Sequence, residues 1–169
     1  MRYPGWEGFA RRLDEPLGHF IQVYRPACFS RVGLRFLNAF SREQLGLTGR
    51  RWNDLLQPQY LGVLDDDAVD EDDVVKCSFD LERRLGERFS LKLHSGPGSI
   101  RRTTRTEAGL KTVQEQETRF ILDLDVYAPG DTALGAAAET LQQLHEHADR
   151  VFSGAITDVL HDAMEPVEL

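Results

Sequence analysis

Cysteine, lysine and long apolar runs are what this chain has least of. Its 169 residues hold two cysteines, Cys28 and Cys77, with no metal or redox spacing, so both read as reduced thiols filling apolar space. No apolar run approaches the roughly 18 residues needed to cross a bilayer. The start, MRYPGWEGFARR, carries charges where a signal peptide needs its apolar core. These two absences set the expectation of a cytoplasmic protein with no membrane partner. Lysine occurs 3 times against 17 arginines, a skew that reads as genome composition rather than mechanism. The formal net charge of −8 disfavours general affinity for nucleic acid or anionic membrane. There is no G-x-S-x-G elbow, no phosphate loop and no dinucleotide fingerprint. No cofactor is implied, and the expectation leans away from an enzyme.

What is there is periodicity. Trp6, Phe9, Leu13, Leu17, Phe20 and Tyr24 keep helical spacing, interrupted by Pro16, which predicts a kinked helix or two abutting ones. In SRVGLRFLN, Val32, Leu34 and Phe36 share one face of a strand with Phe40 beyond, and Arg31, Gly33 and Arg35 share the other. Arg51 to Leu56 offers one or two helical turns before Pro58. Val75, Cys77, Phe79 and Leu81 alternate with polar residues, as do Phe89, Leu91 and Leu93 after Gly86, which together read as an antiparallel hairpin. Residues 95–117 are polar with little periodicity and predict a long loop or an irregular strand extension. Phe120, Leu122, Leu124 and Val126 give a fourth strand. An apolar stripe from about residue 132 to Met164 predicts one helix of about 50 Å. Gly154 inside it costs roughly 1 kcal/mol against alanine and marks a close contact or a bend.

The order helix, strand, hairpin, strand, helix implies an α+β fold in a single domain over residues 1–169. An antiparallel sheet of about four strands carries the N-terminal helix and the long C-terminal helix on one face.

The candidate sites are few. Arg31 and Arg35 lie about 13 Å apart along a strand, too far to clamp one small carboxylate. Asp123 and Asp125 hold the matching polar face of another strand, so one Arg–Asp pair stands directly opposite if the two strands are neighbours. With His94 these four residues, Arg31, Arg35, Asp123 and Asp125, form the tentative binding set on the polar sheet face. The acidic run from Asp65 to Asp73 fits no calcium loop. Counting from Asp65, the sixth and twelfth positions are Asp70 and Lys76 where glycine and glutamate are needed. It reads as a solvated loop, answering Arg101, Arg102 and Arg105 electrostatically. Those arginines have no interleaved aromatics to stack bases, so nucleic acid is disfavoured as a partner. His145 and His147 fall two apart, about 200° around a helix, and cannot chelate one ion together. Where H-E-x-x-H would put its second histidine stands Asp149.

YPGWEGF, SRVGLRFLN, FILDLDVY and HEHADRVFSGAITDVLHDAMEP together resemble an uncharacterised prokaryotic family, sporadically distributed among bacteria and archaea. Its members carry R-x-G-L-R-[YF]-x-N and F-x-x-x-I-T-D-x-L motifs, which fall here on Arg31 to Asn38 and Phe152 to Leu160. They run to about 250 residues, within the length of one domain. The chain resembles their C-terminal two-thirds, and the resemblance implies further strands upstream and hence a sheet edge left open here. It implies no chemistry. The element order also resembles the monomer plan of SecB-type export chaperones, which bind unfolded chains. The expectation is a non-catalytic protein-binding or self-assembling module whose partner is protein, self or other. The alternative is an enzyme or small-ligand protein using the polar sheet face.

Overall fold

Four stretches in which every second side chain is apolar make the sheet, and their shared greasy side is the side that is covered. The computed structural model describes residues 5–106 and 109–164, with the side chains of 100–117 left aside. The strands are β1 (Phe29–Phe40), β2 (Phe79–Leu85), β3 (Phe89–Thr106) and β4 (Gly109–Thr132). They pair antiparallel throughout in the order β1-β4-β3-β2. Strand β4 is therefore interior, and its Phe120, Leu122, Leu124 and Val126 are fully buried. Opposite them stand Phe40, Phe36 and Leu34 of β1 and Leu93 and Leu91 of β3. Each fully buried side chain of this size contributes roughly 1.5–3 kcal/mol of burial free energy. The α+β expectation holds, with all four strands in one antiparallel sheet.

Helix α3 (Ala137–Ser153) crosses β1 and β4 and buries Ala137, Leu144, Ala148 and Val151. The single long C-terminal helix of the sequence reading is two pieces. Gly154 ends α3, and the chain runs extended for two residues. There Ile156 bridges Leu56, the Gln57 amide donates to Ala155 O (2.9 Å), and the Thr157 amide donates to Leu55 O (3.0 Å). Helix α4 (Asp158–Ala163) then starts afresh. The break also shifts the helical phase: α4 buries Leu160, whereas Val159, which one continuous helix would turn inward, is 38% exposed. The partner of this break is the short helix α2 (Trp52–Leu55), whose Trp52 lies 5.3 Å from the Phe120 ring.

The first helix, α1 (Gly5–Tyr24), passes through Pro16 as one helix. It docks by its opening turns, where Trp6 and Phe9 pack against the core. Its far end does not, and Phe20, Val23 and Tyr24 are exposed.

One further expectation changes. The hairpin's first strand begins at Phe79, so Cys77 lies before β2 and Val75 is fully exposed. Of the two alternatives for residues 95–117, the described residues take the irregular strand extension: β3 and β4 continue as a two-stranded ribbon to Thr106 and Gly109, with a register shift between Ser99 and Arg101. The threonines at 103, 104, 106 and 112 supply strand propensity there.

Thr157 carries the restart of the chain at α4. Its hydroxyl donates to Asp54 O (2.8 Å) and accepts from the Leu160 amide (3.4 Å). Thr157→Ala is expected to cost about 1 kcal/mol, the usual loss of a helix N-cap, read from urea denaturation midpoints at unchanged slope. No measurable loss would show that Ile156 and Leu160 hold the segment unaided.

Candidate functional site on the polar face of the sheet

The uncovered face of the sheet is a grid of charges in register. At one level stand Arg35, Asp125, Lys92 and Glu82, alternating in sign across all four strands. At the next stand Leu37, Asp123, His94 and Asp80. The five residues singled out from sequence thus lie on one face, and four of them, Arg35, His94, Asp123 and Asp125, line an open depression of about 430 Å³ that Arg31 does not reach.

The pairing is diagonal, and there are two pairs rather than one directly opposite. Arg35 faces Asp125 in register yet grips Asp123, Nε donating to Oδ1 at 2.8 Å and Nη2 to Oδ2 at 2.5 Å. That hydrogen bonding, and then the carboxylate's charge, raises the Arg35 pKa further. Arg31, in register with Pro129, sends one Nη2 to both oxygens of Asp125 at 2.8 Å.

Gly33 explains how Arg31 gets there. A β-carbon at Gly33 would sit 2.6 Å from Arg31 Nη1. The guanidinium therefore lies along its own strand over the bare glycine, with Cζ 4.5 Å from the centre of the Tyr127 ring, the residue facing Gly33. The glycine between two arginines is an open lane for the first of them, and the ring beneath adds a cation–π contact. Tyr127 in turn donates to Glu82 Oε1 (2.8 Å), Lys92 lies 3.6 Å from the same oxygen, and His94 Nδ1 is 2.7 Å from Asp80 Oδ1. The two arginines of the candidate set are thus paired with its two aspartates, and His94 is hydrogen-bonded to Asp80.

The acidic run is pinned by Arg42 and Arg51. Arg42 reaches Glu71 (2.9 Å) while its guanidinium lies over the Trp52 ring, and Arg51 reaches Asp67 (3.0 Å) and the carbonyls of Asp66 and Val69. Glu71 also accepts from the Trp52 amide. The run is therefore a folded stretch of short turns closing over α2. The side chains of Arg101, Arg102 and Arg105 lie outside the described residues. Among the described residues, no group of three or more His, Cys, Asp or Glu is placed to hold a metal ion.

The two histidines of LHEHAD point apart, as their spacing requires. His145 stacks on Trp6 at 4.4 Å, and His147 meets the edge of Phe89 at 5.3 Å. Nothing in the sequence flagged Gly33 as a passage or Tyr127 as its floor; only knowing that β1 and β4 are neighbours reveals them. No family model matches the chain, and no curated protein or solved structure is significantly similar to it. No described helix is long and apolar enough to cross a membrane.

Two measurements check this geometry. Gly33→Ala alone is expected to bring no gain in stability, because the added methyl evicts Arg31. In an Arg31→Ala background the same change is expected to stabilise by about 0.5–1 kcal/mol, the usual advantage of alanine over glycine in a strand. Equal effects in both backgrounds would rule out the lane. For His147, burial first and then the Arg150 charge hold its pKa below the ordinary histidine value of 6.5, Glu146 opposing and Arg83 adding. The folded state then binds fewer protons than the unfolded one. Stability from this group is complete above about pH 6.5 and declines as pH falls toward the lower folded value. His147→Gln should flatten that slope, and an unchanged slope would reject the assignment.

Proposed function

We propose that the chain is a non-catalytic protein-binding or self-assembling module that works through the free edge of β1. The observation that carries this reading is the groove beside that edge. The stretch Gly33 to Asn38 and the side chain of Phe9 border an open cleft of about 510 Å³. Strand β1 pairs with β4 on one side only. Half of its backbone donors and acceptors therefore face outward, a template on which an extended segment adds as a further strand. Leu37 stands 65% exposed on this edge, and Phe20, Val23 and Tyr24 extend apolar surface along α1. Such a partner would gain main-chain hydrogen bonds from β1 and side-chain contacts from Phe9 and Leu37.

The competing reading, a ligand or substrate held on the polar face, has the 430 Å³ depression in its favour. It is the weaker one. A ligand there must displace Arg35 from Asp123 or His94 from Asp80, and it gains little more than the pair it breaks.

The native mass across a concentration series, together with capture of a permanently unfolded polypeptide, tests the proposal. Self-association or capture is expected, and Leu37→Lys, a charge of the kind that guards natural sheet edges, should abolish it with the fold retained. A particle of one chain at every concentration that captures nothing would overturn it.

A further inference from the structure

On the covered side of the sheet, α1, β1, β4 and α3 line a second cavity of about 340 Å³, which meets the free edge's groove at Phe36 and Asn38. That is small but within the range of roughly 300–1,000 Å³ typical of small-molecule sites. Three of its lining residues are aromatic, Trp6, Phe36 and Phe152, and three carry polar groups, Asn38, His145 and Asp149. We propose that this cavity binds a small arylalkyl ammonium ion, with the ring between the aromatic side chains and the ammonium at the polar groups.

The aromatic side chains are held in place. Trp6 donates from Nε1 to Gln142 Oε1 at 2.6 Å, and its ring lies nearly parallel to the His145 imidazole, 4.4 Å away with an interplanar angle of 17°. Phe36 stands 6.1 Å from the same imidazole.

Each polar residue offers an acceptor. One N–H of the Asn38 amide donates to Leu122 O (3.2 Å), and the same side chain carries an acceptor oxygen. His145 Nδ1 is buried and has no hydrogen-bond partner among the described residues. With the ring proton on Nε2, Nδ1 is an acceptor waiting for a donor. Asp149 is exposed, lies one helical turn beyond His145 on the same side of α3, and has no cation beside it among the described residues. Among the described residues, no lysine or arginine lines the cavity.

A carboxylate or phosphate would meet Asp149 with like charge. A neutral ring would fill the apolar part and leave both the carboxylate and the imidazole nitrogen as they were. A protonated amine on an aromatic body answers all of it: N–H donors for the acceptors, charge for Asp149, and cation–π contact with the rings around it. The net charge of −8 adds a long-range bias toward cations.

The test is calorimetric titration of the whole chain with three compounds of one shape: phenethylamine, 2-phenylethanol and 3-phenylpropionate. Saturable binding of the amine is expected, with the alcohol about tenfold weaker and the acid not bound. Asp149→Asn, a surface change whose folding is checked by circular dichroism, should weaken the amine about threefold and leave the alcohol where it was. Trp6→Ala should weaken both. The proposal is overturned if amine and alcohol bind alike, if Asp149→Asn leaves the amine unaffected, or if none of the three binds saturably.

Discussion

A sheet covered on one face only is the constraint from which the other features follow. Helix α3 and the 52–64 segment bury the side that carries Phe120, Leu122, Leu124 and Val126. A residue inserted or removed anywhere along β4 would turn that set out to water and bring Asp123 and Asp125 inward, because strand side chains alternate. The register is thus fixed by burial, and the outer face takes whatever residue types remain. It takes them in an order that alternates sign from strand to strand, so the polar face is stitched to itself. Exposed pairs of this kind are each weak. Together they tie β1 to β4, through Arg31–Asp125 and Arg35–Asp123, and β3 to β2, through Lys92–Glu82 and His94–Asp80.

The same constraint accounts for the two conspicuous sequence motifs. In Arg31 to Asn38, the apolar Val32, Leu34 and Phe36 serve the core, the arginines reach Asp125 and Asp123, Gly33 clears the path between them, and Asn38 donates back to the Leu122 carbonyl. In Phe152 to Leu160, Phe152 approaches the Phe40 ring at 6.2 Å, Ile156 bridges Leu56, Thr157 caps and Leu160 is buried. Both motifs are explained as architecture without any reacting group.

Much of this was legible in the chain. Period-two runs located all four strands because each has one apolar face, and the stripe through Leu144, Ala148 and Val151 located the C-terminal helical segment as one helix. What escaped did so for physical reasons. The break at Gly154 hides because Val159 and Ala163 keep the helical period across it, although Leu160 is the residue that α4 buries. The roles of Arg42 and Arg51 hide because they meet the acidic run only through the fold of α2. The aromatic cavity draws on four elements far apart in sequence, and its only local trace is the one-turn spacing of His145 and Asp149.

The sheet's one-sided cover and open β1 edge are tested most directly by amide hydrogen exchange on particles of one-chain mass. Alternate amides between Gly33 and Asn38 should exchange near the rate of an unstructured chain, since half of an edge strand's N–H groups face outward, while those from Phe120 to Val126 in β4 stay protected. Uniform protection along β1, equal to that of β4, would mean that the edge is already occupied and would contradict both the strand order and the function built on it.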